Sequence, residues 1–344
     1  MNDNKEQKKI DYITPMSVIS SLAVVILHTN GAFWKFSRAS YWITANIIEC
    51  VCYFAVPVFF MISGITLIDY NKRYSLEEYF KKRITKTVLP FLFWSLMGLV
   101  YKILMHQLNP GTLSVRAVLN GILNTSYVSI FWFFIPLFIC YLSIPVFSAI
   151  QDKEKIFPYV LTITIICNSL IPFLINVFHM KIHWNLNFSL GGGYILYILL
   201  GYLLDKIHFT KKQQAVIYSL AIAGLLMHIL GTYHLSMNAG KIISTYKGYL
   251  NIPCLLYSVG MYVLIKEKVQ FLPTKLKGVI QYLKSYSFAL YLLQFFFLIG
   301  LPKLFHINVL SLGWRLGGIV LILPLIIIAT KIIRLLPFGK YVLP

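Results

Sequence analysis

The chain has 344 residues, of which 31 are Lys or Arg and 11 are Asp or Glu, so charged residues make up 12% where an ordinary soluble domain carries about 25%. With 58% hydrophobic residues and a mean hydropathy of +0.73, it holds more apolar surface than one water-exposed fold could bury, which excludes an ordinary soluble enzyme. The net charge of +20 would suit a nucleic-acid binder, yet the basic residues lie between apolar runs rather than in one patch, so no nucleic acid is expected.

In chain order, apolar runs fall at 13–31, 43–69, 88–106, 131–150, 157–178, 190–204, 214–231, 249–265, 286–301 and 314–336. At about 20 residues per span they predict an all-α polytopic membrane protein of about ten transmembrane helices. The whole of 1–344 then forms a single transmembrane domain behind a short tail at 1–12. Helices are expected because lipid offers no partner to backbone N–H and C=O groups, and the alternation of a barrel strand is absent. Pro57, Pro90, Pro136, Pro145, Pro172, Pro253 and Pro324 fall within or at the ends of these runs, where they kink or start helices. No internal repeat is evident, so nothing favours a two-halves transporter.

The connections fix orientation. Counted alternately, one set of loops and termini carries 22 Lys and Arg and the other set 8, with Lys102 inside the third run. The positive-inside rule therefore places both termini in the cytoplasm. The first run follows a Lys-bearing tail as a signal peptide would, but no convincing small-residue cleavage site follows, and retention is expected. Cys50, Cys52, Cys140, Cys167 and Cys254 all lie in apolar runs without metal spacing and read as packing residues. The sparsely charged segment 112–130 reads either as an outer loop or as a partly re-entrant helix.

Ionisable groups inside spans are costly and mark candidate functional residues. His28 ends the run Leu22 to Leu27, and Glu49 lies about two turns into the following antiparallel span, at similar depth. A carboxylate beside a His would fix its tautomer and support it as a general base. The alternative is that His28 sits at headgroup level while Glu49 faces water or a Tyr hydroxyl. His179 and His183 have helical spacing but no third ligand, so no metal is expected. His228, in the seventh run, resembles the intramembrane His of the membrane-bound O-acyltransferases, without their other motifs. Gly191, Gly192 and Gly193 open the sixth run, and Trp34, Trp42, Trp184 and Trp314 read as interface anchors.

The run Ser20 to Asn30 (SSLAVVILHTN), then Val56 to Gly64 (VPVFFMISG), then Tyr79 to Ile84 (YFKKRI) followed by Leu89-Pro90, resembles the opening of the acyltransferase-3 family of integral membrane O-acyltransferases. Weaker echoes follow in the same order: Phe131-Trp132-Phe133 with Tyr141 and Pro145, Tyr197 to Leu204, and Ser285 to Leu292. The resemblance implies ten helices with cytoplasmic ends. It also implies transfer of an acyl group, commonly acetyl, from acetyl-CoA or another cytoplasmic acyl-CoA to a hydroxyl of an envelope glycan or lipid-linked sugar. His28 then takes the position of the catalytic His, and Arg83 and Lys86 match a basic pair suited to CoA phosphates. A bacterial plasma membrane is the expected location. Membrane lipids and the glycan acceptor are the expected partners; a homodimer is among the oligomeric states left open.

Three departures stand out. An Arg usual eleven positions before the His is Ser17, a basic residue common just before the VPVFF run is replaced by Cys52, Tyr53 and Phe54, and a His common in the ninth-span motif is Gln294. Gln294, Trp132 and Asn46 are the residues available to compensate, Trp132 and Gln294 as substrate contacts. The competing classes are an exporter of an envelope polysaccharide or lipid on the same fold, without transferase activity, and a membrane subunit whose partner does the chemistry.

Overall fold

Inside a bilayer every backbone amide must be paired within its own segment, and the apolar runs meet that demand as helices. The computed structural model describes residues 3–182 and 192–344, without the side chains of 3–11 and 112. Its helices are α1 (Asp3–Thr29), α2 (Ser40–Cys52), α3 (Ala55–Leu67), α4 (Leu76–Arg83), α5 (Leu89–Leu104), α6 (Val115–Leu123), α7 (Phe134–Ile150), α8 (Ile156–Ile165), α9 (Ile171–Val177), α10 (Ile195–Lys206), α11 (Lys211–Ala239), α12 (Ile252–Lys268), α13 (Thr274–Lys284), α14 (Ser287–Leu304), α15 (Leu312–Arg334) and α16 (Gly339–Val342). No strand occurs among the described residues.

Eight stretches are long and apolar enough to cross a membrane: Tyr12–Thr29, Ser40–Lys72, Leu76–Leu104, Ser129–Ile150, Ile156–Val177, Lys211–Ala239, Ser287–Leu304 and Leu312–Arg334. The other two expected spans are the shorter α10 and α12, of 12 and 17 residues. At about 1.5 Å per residue these reach only about 18 and 26 Å of a core of about 30 Å. Packing explains why short helices suffice, since Ile195 to Leu199 are fully buried against protein. The beginning of the sixth run, Gly191 included, and Trp184 and His183 lie outside the described residues. Segment 112–130 contains the nine-residue α6, too short to span, with Val115, Leu119 and Leu123 exposed along one face.

Helix α1 is the hub and packs against α2, α3, α12, α13, α14 and α15. Loops that the charge count assigns to one side meet at one end of the bundle. There Lys72 Nζ lies 3.2 Å from Asp69 and 3.1 Å from Asp152, and Tyr202 OH donates to Asp69 at 2.9 Å. At the same end Tyr12 OH donates to Asp205, and Lys266 Nζ donates to the carbonyls of Leu204, Asp205 and Ile207 at 2.7, 3.0 and 2.8 Å. The opposite end is tied by Trp42 Nε1 to the Phe33 carbonyl (2.8 Å) and by the buried Arg315, whose Nη1 donates to the Tyr41 carbonyl (3.0 Å).

Prolines shape the helices between these ends, because each removes the amide that would bond the carbonyl four residues earlier. Helices α2 and α3 are separated at Tyr53 and Phe54, with Tyr53 four residues before Pro57. The stretches Ile84–Val88 and Ile166–Leu170 widen into π-helix just before Pro90 and Pro172, at Lys86 and Asn168. Pro145, inside α7, frees the carbonyl of Tyr141, which accepts from the buried Tyr79 hydroxyl at 2.9 Å.

Helices α3 and α10 approach backbone to backbone through Gly64 and Gly201. A Cβ on Gly64 would overlap the Ile198 carbonyl, and one on Gly201 would overlap the backbone of Met61. Gly64→Ala is expected to lower the melting temperature of the detergent-solubilised protein, from overpacking of about 1–3 kcal/mol. Gly300→Ala, which meets open space, should not lower it.

Candidate functional site

Helix α1 turns Ser17, Val24 and His28 onto one face, and this face forms the wall of a cavity of about 410 Å³. Helix α3 contributes Val56, Phe59, Ile62 and Ser63, and the segment from Ile130 into α7 contributes Trp132, Phe133, Leu137 and Tyr141. Ser17 and His28 are eleven residues apart, so the cavity follows α1 for about 16 Å. At the end near the basic loops it is lined by Lys86, Thr87, Lys284 and Ser287; His28, Trp132 and Tyr249 line it further along. Its middle is apolar. The volume fits a small-molecule site, and the polar groups are few and grouped.

His28 is partly accessible and lines the cavity, while its Nδ1 is buried without a hydrogen-bond partner among the described residues. The Gln294 side chain on α14 is a polar neighbour of the imidazole. Gln294 is fully buried; its Nε2 donates to the Tyr291 carbonyl at 3.3 Å and its Oε1 has no partner among the described residues. A carboxamide oxygen so placed can accept the Nδ1 proton and leave Nε2 as the basic nitrogen.

Lys86 reaches the cavity from the π-helical stretch that Pro90 imposes. Arg83 stands one layer behind. Its guanidinium lies over the rings of Tyr79 and Tyr141, 5.9 and 5.5 Å from their centroids, and Tyr141 in turn lines the cavity. Lys284, at the end of α13, faces the same space as Ser17, where the sequence lacks an Arg.

Glu49 has a partner other than the one expected. Its Oε1 lies 3.0 Å from Lys247 Nζ, and both side chains are nearly inaccessible, at 4% and 2%. Depth along two helices fixes height but not azimuth. Asn46, one turn away from Glu49, donates to the Ile229 carbonyl on α11 at 3.0 Å, so this face of α2 looks toward α11 and the loop beyond it. Asn46 is therefore committed to a helix contact rather than to the cavity. His228 is fully buried, edge-on to Tyr53 at 5.1 Å between centroids.

The model of the family Acyl_transf_3, an acyltransferase domain, matches residues 12–331. The chain belongs to the acyltransferase-3 family. No curated protein and no solved structure matches it. It is thus a multi-pass membrane acyltransferase, and the matched region includes every residue that lines the cavity, from Ser17 to Tyr291.

Of the residues singled out by sequence, His28, Lys86 and Trp132 share this cavity, Gln294 and Arg83 stand directly behind it, and Glu49 belongs to a separate ion pair. Sequence reasoning missed Lys284, Tyr249 and Lys247. Lys247 had one usable signal: Glu49 is an acid deep inside a span, and a buried carboxylate requires a cation. Among the described residues no group of three or more His, Cys, Asp or Glu could hold a metal, and the cysteines are free thiols.

Removing one member of a buried pair strands the other. Lys247→Met is expected to cost about 3–5 kcal/mol of stability, and Lys247→Met combined with Glu49→Gln should recover most of it. Thermal unfolding of the three chains in one detergent checks this.

Proposed function

We propose that the protein transfers an acyl group, acetyl in the first instance, from cytoplasmic acyl-CoA to a hydroxyl of an envelope glycan or lipid-linked sugar. The setting is a bacterial plasma membrane, with both termini in the cytoplasm. The observation that carries the reading is that one cavity has two lysines at one end and His28 at the other.

The nucleotide phosphates of the donor fit the lysine end, where Lys86 and Lys284 offer ammonium groups and Arg83 adds positive charge behind Tyr141. A pantetheine arm suits the apolar middle along Val24 and Ile62 and brings the thioester toward His28. The apolar lining there disfavours water, which protects the thioester from hydrolysis. The imidazole, oriented by Gln294, takes the proton of the acceptor hydroxyl as its oxygen bonds the acyl carbon. The C–S bond breaks, and the proton passes to the leaving thiolate.

A general base contributes about 10²–10⁴-fold, so His28→Ala should lose label transfer from radiolabelled acetyl-CoA to envelope glycan by at least about a hundredfold. Full transfer by a folded His28→Ala chain would remove the base assignment. Absence of His28-dependent label in the wild type would favour the exporter class.

Lys86→Ala with Lys284→Ala should raise the KM for acetyl-CoA by about tenfold or more, since each charged hydrogen bond contributes about 1.5–3 kcal/mol. The KM for S-acetylpantetheine, which has no nucleotide phosphates, should hardly change. Equal effects on both donors would remove the phosphate contact.

A further inference from the structure

Tyr249, in the loop between α11 and α12, lines the cavity beside Trp132, and side-chain hydrogen bonds hold that loop in place. Tyr197 OH donates to the Tyr249 carbonyl, Ser169 Oγ donates to the Leu250 carbonyl, and Asn251 Nδ2 donates to the Thr245 carbonyl at 3.0 Å. Within it Lys247 is almost completely buried, although a loop lysine ordinarily extends into water.

Its ammonium contacts a carboxylate on one side and aromatic faces on the other. Nζ lies 3.0 Å from Glu49 and 3.8 Å from the centroid of the Tyr53 ring. Tyr53 stacks on Tyr249 almost parallel, at 4.0 Å and 3°, and Tyr249 stacks on Trp132 at 5.3 Å and 24°. Tyr249 and Trp132 both line the cavity; Lys247 and Glu49 do not. A buried ion pair is thus joined to the cavity wall by three consecutive rings. A cation on one face of Tyr53 draws π density toward itself, so the opposite face holds the electron-rich face of Tyr249 more firmly. The α2/α3 break at Tyr53, set by Pro57, allows the ring to take that place.

We infer that Lys247 is a positioning residue that acts through the Tyr53 and Tyr249 rings to fix Trp132 as a platform for a sugar ring of the acceptor. This rests on the acyl-transfer reading above and adds to it the acceptor's place and chemical class. The indole face that Tyr249 leaves uncovered suits the C–H face of a pyranose, and holding that ring at a fixed angle sets which hydroxyl turns toward His28. The cation also stands beside Tyr53, in the stretch where the sequence lacks a basic residue before Val56.

The test uses the full chain in membranes with radiolabelled acetyl-CoA and envelope glycan extracted from the expressing cells. Two products are measured, labelled glycan and free labelled acetate, the latter from attack of water on the same thioester. Lys247→Met with Glu49→Gln removes both charges without stranding either, and it should lower the glycan to acetate ratio by at least tenfold. Lys247→Arg, which keeps a cation on Tyr53, should restore the ratio to within threefold of wild type. Tyr249→Leu should lower it as the double variant does. A double variant whose two products fall in equal proportion, or whose ratio is unchanged, would overturn the positioning role. A lowered ratio for Lys247 variants with an unchanged ratio for Tyr249→Leu would overturn the platform. Absence of His28-dependent label from wild type would instead overturn the acyl-transfer reading, and this inference with it.

Discussion

A proline inside a membrane helix leaves one carbonyl without its helical donor, and the organisation of this protein follows from where that happens. Tyr53, Lys86 and Tyr141 each stand four residues before a proline, and each belongs to the cavity or to the stack beside it. The helix responds differently at each: a break at Tyr53, a π-helical widening at Lys86, and at Tyr141 a carbonyl taken up by the Tyr79 hydroxyl. Pro253 belongs to the same pattern more weakly, since it lies in the first turn of α12, four residues after Tyr249.

Charge is distributed by a second constraint. A cation or carboxylate in the bundle must be paired or must face a polar space. Lys86 and Lys284 satisfy it by facing the cavity end, Arg83 by lying over two tyrosine rings, and Glu49 and Lys247 by pairing with each other. The positions where the acyltransferase-3 resemblance would have placed cations are not left neutral by the fold. Lys284 faces the space beside Ser17, and Lys247 brings its charge to Tyr53. Both come from segments distant in sequence, so the chemistry can persist although the local motif does not.

That distance also separates what could be read from the sequence from what could not. The helical class was legible because apolar runs of spanning length have one solution in lipid, and the alternation of basic loops was legible because the loops are short. His28, Lys86 and Trp132 were legible through local motifs, each within a run of neighbours that carries the pattern. Glu49 was visible as an anomaly, but its partner was not. Sequence spacing gives height along a helix and leaves rotation about its axis to packing, and Asn46 on the same face turns toward α11 rather than toward the cavity. Gln294 read as a lost His, yet in the structure it is the group beside His28. Lys247 entered only the loop charge count, because nothing local marks a loop that folds inward.

In the proposed mechanism one continuous cavity carries the acyl group from the lysine end to His28. Val24, between Ser17 and His28 on α1, lines it midway, and Val24→Trp would fill it while leaving His28, Gln294 and both lysines in place. Transfer of label from acetyl-CoA to envelope glycan by this variant is the most direct measurement. Label is expected to fall to the level of the His28→Ala chain; wild-type transfer through a cavity filled at Val24 would contradict this path.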